Sequence, residues 1–157
     1  VKDSTDQQWE ESISTNLLAA VRSSRAAIPL MQKQRWGRII HITSIYGRES
    51  GGNPAYNASK SAMNSLSKSM ARDLAPDGIL VNAVAPGSIL FPGGGWAKGL
   101  QDDPEGMAAF LDQDFPMDRF GEPQEVAAVV TFLASERASL LTGSCINVDG
   151  GQTRSNI

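Results

Sequence analysis

Gly37-Arg38-Ile39-Ile40-His41-Ile42-Thr43-Ser44 is the stretch that decides the fold. From Arg38 to Thr43 its apolar and β-type residues follow one another, without the strict alternation of a half-exposed strand. Such a strand is covered on both faces, the situation of strands in parallel sheets. Upstream, Trp9, Ile13, Leu17, Ala20, Ser24, Ile28 and Met31 recur at three- or four-residue spacing, so residues 6–34 read as one long helix. Ser4 or Thr5 is placed to cap its start and Asp6 suits its first turn. Pro29 is expected to kink or loosen the last turns, and Gly37 ends the segment.

Downstream of the strand, a glycine-rich loop (Gly47–Pro54) leads to a second long helix, Tyr56 to Leu74, whose core face is Met63, Leu66, Met70 and Leu74. Pro76-Asp77-Gly78 is a turn signal, and Ile79–Ala85 is a second buried strand. Between Pro86 and Met117 the composition turns glycine-rich and aromatic, with a weak helical pattern around Glu105–Leu111. A long segment of this kind is expected to be a lid or binding loop over residues 88–117, within one domain spanning 1–157. Pro123 starts a further helix with Val126, Val129, Val130 and Leu133 inward, and Cys145–Val148 is a third strand. Strands alternating with helices predict an α/β layer fold whose parallel strands are joined by right-handed crossovers.

Composition removes several function classes. The 157 residues are 41% hydrophobic and 20% charged, a globular balance. Fourteen basic against seventeen acidic side chains give a net charge of −3, which argues against nucleic acid as a partner. A lone cysteine (Cys145) and a lone histidine (His41) provide neither an internal disulfide nor a zinc set, so no metal site is expected. No apolar run approaches a membrane span, and the opening VKDSTDQQWEE has no signal-peptide core. A reducing, cytoplasmic setting without membrane contact is the expectation.

The chemistry concentrates in Tyr56-Asn57-Ala58-Ser59-Lys60. Positions four apart share a helix face, so phenol and ammonium can be neighbours. A phenol is a poor acid or base at neutral pH, and a fixed cation beside it stabilises the phenolate. Helix surfaces also produce this spacing by chance, and its neighbours decide the reading. Ser44 closes the first strand, and strand ends are where sites gather in open α/β sheets. Asn16 sits in a helix interior, where Asn has poor propensity, so a functional amide competes with a chance polar residue. Pro86-Gly87 follows the second strand, where bare backbone allows a cofactor to approach. A serine hydrolase is disfavoured, because His41 and Ser44 are three apart on a strand and point to opposite faces.

Taken in order, Asn16-Leu17, GRIIHITSIYG (Gly37–Gly47), YNASK (Tyr56–Lys60), VNAVAPG (Val81–Gly87) and TGSCINVDGG (Thr142–Gly151) closely resemble the short-chain dehydrogenase/reductase family. The likeness is strongest to the bacterial branch holding 3-oxoacyl-carrier-protein reductases and sugar or alcohol dehydrogenases. It implies a Rossmann-like, doubly wound parallel sheet and hydride transfer between NAD or NADP and a small carbonyl or alcohol substrate. By this resemblance Tyr56 is the general acid or base. Lys60 supports Tyr56 and holds the nicotinamide ribose, and Ser44 hydrogen-bonds the substrate oxygen. Asn16 holds a water linking Lys60 to solvent. Pro86, Gly87 and Ile89 line the nicotinamide pocket, and Phe91 and Trp96 are candidates for substrate contact.

The match has departures. Relatives often space the serine and tyrosine one residue further apart than the twelve positions here, and Phe91 stands where many carry a threonine. The family's glycine-rich first turn, its cofactor-selecting residue and its Asn-Asn-Ala-Gly-like loop have no counterpart in the 157 residues. The expectation is therefore the C-terminal portion of the fold, about three strands with long helices and a lid. A homo-oligomer, dimer or tetramer, is expected through the two long helices and the last helix–strand unit. The competing reading is a non-catalytic half-fold serving as an oligomerisation or interaction module.

Overall fold

In the computed structural model, which describes residues 1–156, the first helical segment starts where the Thr5 hydroxyl accepts the Gln8 N–H at 3.3 Å. Gln8 reciprocates by accepting the Thr5 N–H, a capping box. The segment comprises helix α1 (Asp6–Ser12), a π-helical turn (Ile13–Leu18) and helix α2 (Ala19–Gln34). Helix α2 continues through Pro29, where a kink or loosening of the last turns was expected, to Gln34. The irregularity lies in the turn containing Asn16, where the widened hydrogen-bond pattern inserts an extra residue.

Strand β1 (Gly37–Ile42) pairs in parallel with β2 (Ile79–Pro86), which pairs in parallel with β3 (Cys145–Val148). Helix α3 (Pro54–Leu74) connects the first two strands. Helices α4 (Gly95–Asp102), α5 (Pro104–Asp114) and α6 (Pro123–Ala134) lie between the last two. Strand alternation sorts the core into two faces. Ile39, Ile79 and Val81 pack with Ile28 and Met31 of α2 and Met70, Ala71 and Leu74 of α3. Ile40, Val84, Ile146 and Val148 pack on the other face with Val126, Val129, Val130 and Leu133 of α6. This is the doubly wound α/β arrangement expected, seen as a three-stranded portion. Ile79, Val81 and Val84 are wholly buried, each worth roughly 1.5–3 kcal/mol of apolar burial.

Polar groups inside this core are paired. Asn82, 1% exposed, donates from Nδ2 to Leu141 O at 2.8 Å and accepts the Ser144 N–H at 3.1 Å, tying β2 to the approach of β3. His41 lies between Ser24 of α2 (Nε2···Oγ 3.1 Å) and Ser67 of α3 (Nδ1···Oγ 2.8 Å). The Ser67 hydroxyl already donates to Met63 O, so Nδ1 carries the proton and Nε2 accepts from Ser24. Burial pushes the imidazole pKa below its ordinary value, favouring this neutral form. His41 is thus a seam between two helices, and both its nitrogens are committed away from Ser44.

The segment following β2 is more regular than its composition suggested. In place of one weak helix near Glu105–Leu111 it holds α4 and α5, and the Asp103 carboxylate caps α5 by accepting the Gly106 N–H at 2.9 Å. Glycines that lower helix propensity masked α4 in the sequence. Cys145 is half-buried, and its Sγ donates to Asn64 Oδ1 at 3.4 Å.

Candidate active site

Tyr56 owes its position to the start of α3. Asn53 caps the helix, its Oδ1 accepting the Ala55 N–H at 2.8 Å and the Tyr56 N–H at 3.4 Å, and Pro54 occupies the first turn. Tyr56 is half-buried. Lys60, one turn on and 9% exposed, holds its Nζ 5.4 Å from the centre of the Tyr56 ring. The same Nζ donates to Ile42 O at 2.9 Å. Backbone N–H groups of Gly37 and Thr43 point toward β2, bonding Gly78 O and Val84 O. The alternate residue Ile42 therefore turns its carbonyl to the opposite edge of β1, and Lys60 satisfies it there. Burial lowers the Lys60 pKa from its ordinary value. An ammonium has three donors, and Ile42 O takes one of them.

Ser44, 7% exposed, caps the short 3₁₀ turn Ile45–Gly47, its Oγ accepting the Tyr46 N–H at 3.2 Å. That contact uses a lone pair and leaves the hydroxyl proton available. In the π-helical turn, Asn16 donates from Nδ2 to Ser12 O at 3.0 Å. Asn16, Ser12, Thr15, Tyr46 and Tyr56 line one open cleft of about 600 Å³. The extra residue in the helix thus presents Asn16 to the same space as the phenol.

Pro86, Gly87 and Ile89 form the exit of β2. Gly87 donates its N–H to Val148 O at 3.0 Å, and Ile89 pairs with Gly121 in a small parallel bridge. A Cβ on Gly87 would lie 2.7 Å from Gln152 Oε1 and 2.8 Å from Asp149 Cβ. The glycine is therefore required by the C-terminal turn packed against it, a reason different from the cofactor approach anticipated. Gly87, Ile89, Phe91, Gly95 and Trp96 line a cleft of about 460 Å³. Phe91 is 48% exposed, with its ring against Gly94. Trp96 faces this cleft and also stacks on Phe110 at 5.1 Å, in an aromatic cluster completed by Phe115 and Phe120.

Sequence reasoning passed over Tyr46, Glu49, Gln152 and Arg154. With Ile45, Phe110 and Asp114 they line a second cleft of about 680 Å³ beside Ser44. Glu49 accepts the backbone N–H groups of Arg154 (2.7 Å) and Ser155, bringing the tail to this cleft. The available signal was Asp149-Gly150-Gly151, a turn that sends the chain back toward the site; Gly150 and Gly151 both have positive φ (62° and 83°).

The fold and these clefts define a class, the open α/β proteins whose sites gather at the carboxyl ends of parallel strands. A family model described as Enoyl-(Acyl carrier protein) reductase matches residues 1–153. The chain belongs to the short-chain dehydrogenase/reductase family. It is 42% identical over 147 residues to the 3-oxoacyl-(acyl-carrier-protein) reductase FabG of Escherichia coli (strain K12), covering 93% of this chain and 58% of that protein. It is 40% identical over 152 residues to the FabG of Aquifex aeolicus (strain VF5), covering 91% and 56% respectively. The chain thus spans somewhat over half the length of the curated relatives it matches. The L-sorbose reductase of Gluconobacter frateurii, solved with NADPH and L-sorbose, superposes with a TM-score of 0.90 at 33% identity, covering 99% of this chain and 62% of that one.

Proposed function

We propose that this chain carries the proton-transfer machinery of a nicotinamide-dependent oxidoreductase interconverting a carbonyl and an alcohol. The observation that carries the reading is the Tyr56–Lys60 pair, a half-buried phenol with a buried ammonium 5.4 Å from its ring centre. In reduction, Tyr56 Oη donates its proton to the substrate oxygen, and in oxidation it takes that proton back. The Lys60 ammonium lies beside the ring in a buried setting, on the same helix face as the phenol. Ser44, whose Oγ accepts from Tyr46, has its hydroxyl proton free to hydrogen-bond the same substrate oxygen. Asn16 lines the cleft that reaches Tyr56 and holds the water through which Lys60 is reprotonated.

The residues present fit the nicotinamide end of NAD or NADP. Two donors of the Lys60 ammonium remain for ribose hydroxyls, and the cleft lined by Gly87 and Ile89 suits the ring. When bound, the cofactor supplies or accepts the hydride, and the protein supplies position and electrostatics. Phe91 and Trp96, from the segment 88–117, cover the substrate. The chemistry of the relatives supports a small carbonyl or alcohol as substrate.

The test is Tyr56→Phe in the full natural chain. Turnover should fall by about 10²–10⁴-fold while NAD(P)H binding persists. Near-normal turnover in a folded variant would refute the assignment. Assembly into a homo-oligomer belongs to the same reading, because Leu140 (95% exposed) and Phe132 (39%) lie bare on the last helix–strand unit. Light scattering of Leu140→Lys should register a smaller particle than the parent protein, and an unchanged mass would remove this face from the interface.

A further inference from the structure

Ser88 lies between Gly87 and Ile89 at the exit of β2 and is 6% exposed. A buried residue with a backbone N–H, a carbonyl and a hydroxyl needs partners for all three. The carbonyl accepts the Gly121 N–H at 3.0 Å. The other two groups turn to a single side chain from the far end of the sequence. Gln152 Oε1 accepts the Ser88 N–H at 2.9 Å, and Gln152 Nε2 donates to Ser88 Oγ at 3.1 Å. The primary amide thus matches the donor and acceptor of Ser88 in one two-point contact.

The reach of Gln152 is prepared by the turn before it. Asp149 Oδ1 accepts the Gly151 N–H at 3.0 Å, and its Oδ2 accepts the Thr153 N–H at 3.0 Å and hydroxyl at 2.8 Å. The Gln152 N–H bonds Asp149 O at 3.1 Å, and the side chain then fills the space a Cβ on Gly87 would occupy. The loop proposed to hold the nicotinamide is held from behind by this clasp and from the side by Gly121.

We propose that Gln152 is a positioning residue for cofactor binding, holding the Pro86–Ile89 loop in register through its two bonds to Ser88. The inference rests on the nicotinamide reading above. Without Gln152 a buried N–H and hydroxyl lose their partners, and the loop must shift to reach water.

The experiment compares the parent protein, as its full natural chain, with Gln152→Met, which keeps the side-chain volume and removes the amide. NADH and NADPH are titrated by fluorescence, steady-state constants are measured, and exchange of the Ser88 amide is followed without cofactor. Gln152→Met should weaken binding of the preferred cofactor by about tenfold, leave the substrate KM near its parent value and speed Ser88 exchange. Ser88→Ala, which removes the hydroxyl contact alone, should give about a threefold loss, and the double variant less than the product of the two. Cofactor affinity within about twofold of the parent, or equal losses of cofactor and substrate binding, would overturn the inference. Should Gln152→Met fail to fold, Ser88→Ala decides: unchanged cofactor affinity overturns the inference, and a selective loss supports it. A parent protein that binds neither cofactor defeats the nicotinamide reading, and this inference with it; a parent that binds and a variant that binds equally defeat the inference alone.

Discussion

Helix α3 and the helical pair α4–α5 line different clefts and are held in opposite ways. Along α3, Ala55, Ser59, Lys60, Met63, Ser67, Ala71 and Leu74 are all buried, and the small residues among them let the helix lie close to the sheet. Neither α4 nor α5 has a buried residue. That pair is fastened instead by Trp96 and Phe110 packing on Phe115 and Phe120, the last two being 5% and 7% exposed. In the proposed reading, proton chemistry, which tolerates little misplacement, falls on the more deeply buried element. The proposed substrate contacts fall on an element whose attachment is a few aromatic side chains, and such attachments define regions of low local stability.

The sharpest way to break this contrast is Tyr56→Phe itself, which should abolish nearly all turnover while leaving thermal unfolding and α3 amide protection unchanged. Loss of fold in that variant would mean the phenol is a packing element. Next in size is Phe120→Ala, expected to cost about 3–5 kcal/mol if the cluster unfolds with the core, read from the urea midpoint. Hydrogen exchange should localise the loosening to residues 95–120 and leave α3 protected; uniform loss of protection would erase the distinction between the two regions.

A smaller effect probes the α3 side through pH. His41 is held neutral, with its pKa below the ordinary 6.5, so the unfolded chain takes up a proton that the fold resists. Stability should be full above about pH 6.5 and decline as pH falls below it, toward the depressed folded value. His41→Leu should flatten the melting temperature between pH 7.5 and pH 5.5, about one unit either side of that value. A decline of the same size in the variant would assign the effect to other groups.

The smallest effect lies at the start of α6. Arg119 bonds Glu125 at 2.8 and 2.9 Å, and this contact, with the Glu122 N–H, holds the Glu125 carboxyl down to about 2. Its stabilisation is present above the ordinary carboxyl range and is lost as pH falls toward about 2. Both partners are exposed, so Glu125→Gln should move the melting temperature less than the other variants, and less again in high salt. A salt-independent shift as large as that of Phe120→Ala would contradict the surface character of the pair.

Much of the layout was legible in the sequence, because burial on both faces leaves unbroken apolar runs and helix faces leave a three- to four-residue period. β3 and α6 begin where the pattern placed them, and Tyr56 and Lys60 share a helix face because four residues make about one turn. The π-helical turn at Asn16 was illegible. A widened turn depends on which neighbours satisfy its backbone, and Pro29 carried the stronger local signal. α4 was hidden by its glycines, and the anchors of the α4–α5 pair were scattered aromatics without periodicity.

By itself, then, the sequence determined the alternation of helices and parallel strands and the presence of a tyrosine–lysine pair, since both follow from local spacing. Tertiary structure alone decided that Lys60 reaches across to Ile42 O, that His41 joins two serines, and that Gln152 closes on Ser88 across 64 positions of chain. These contacts join residues distant in sequence, and only the packing of helices and tail around the sheet brings their polar groups within hydrogen-bond range.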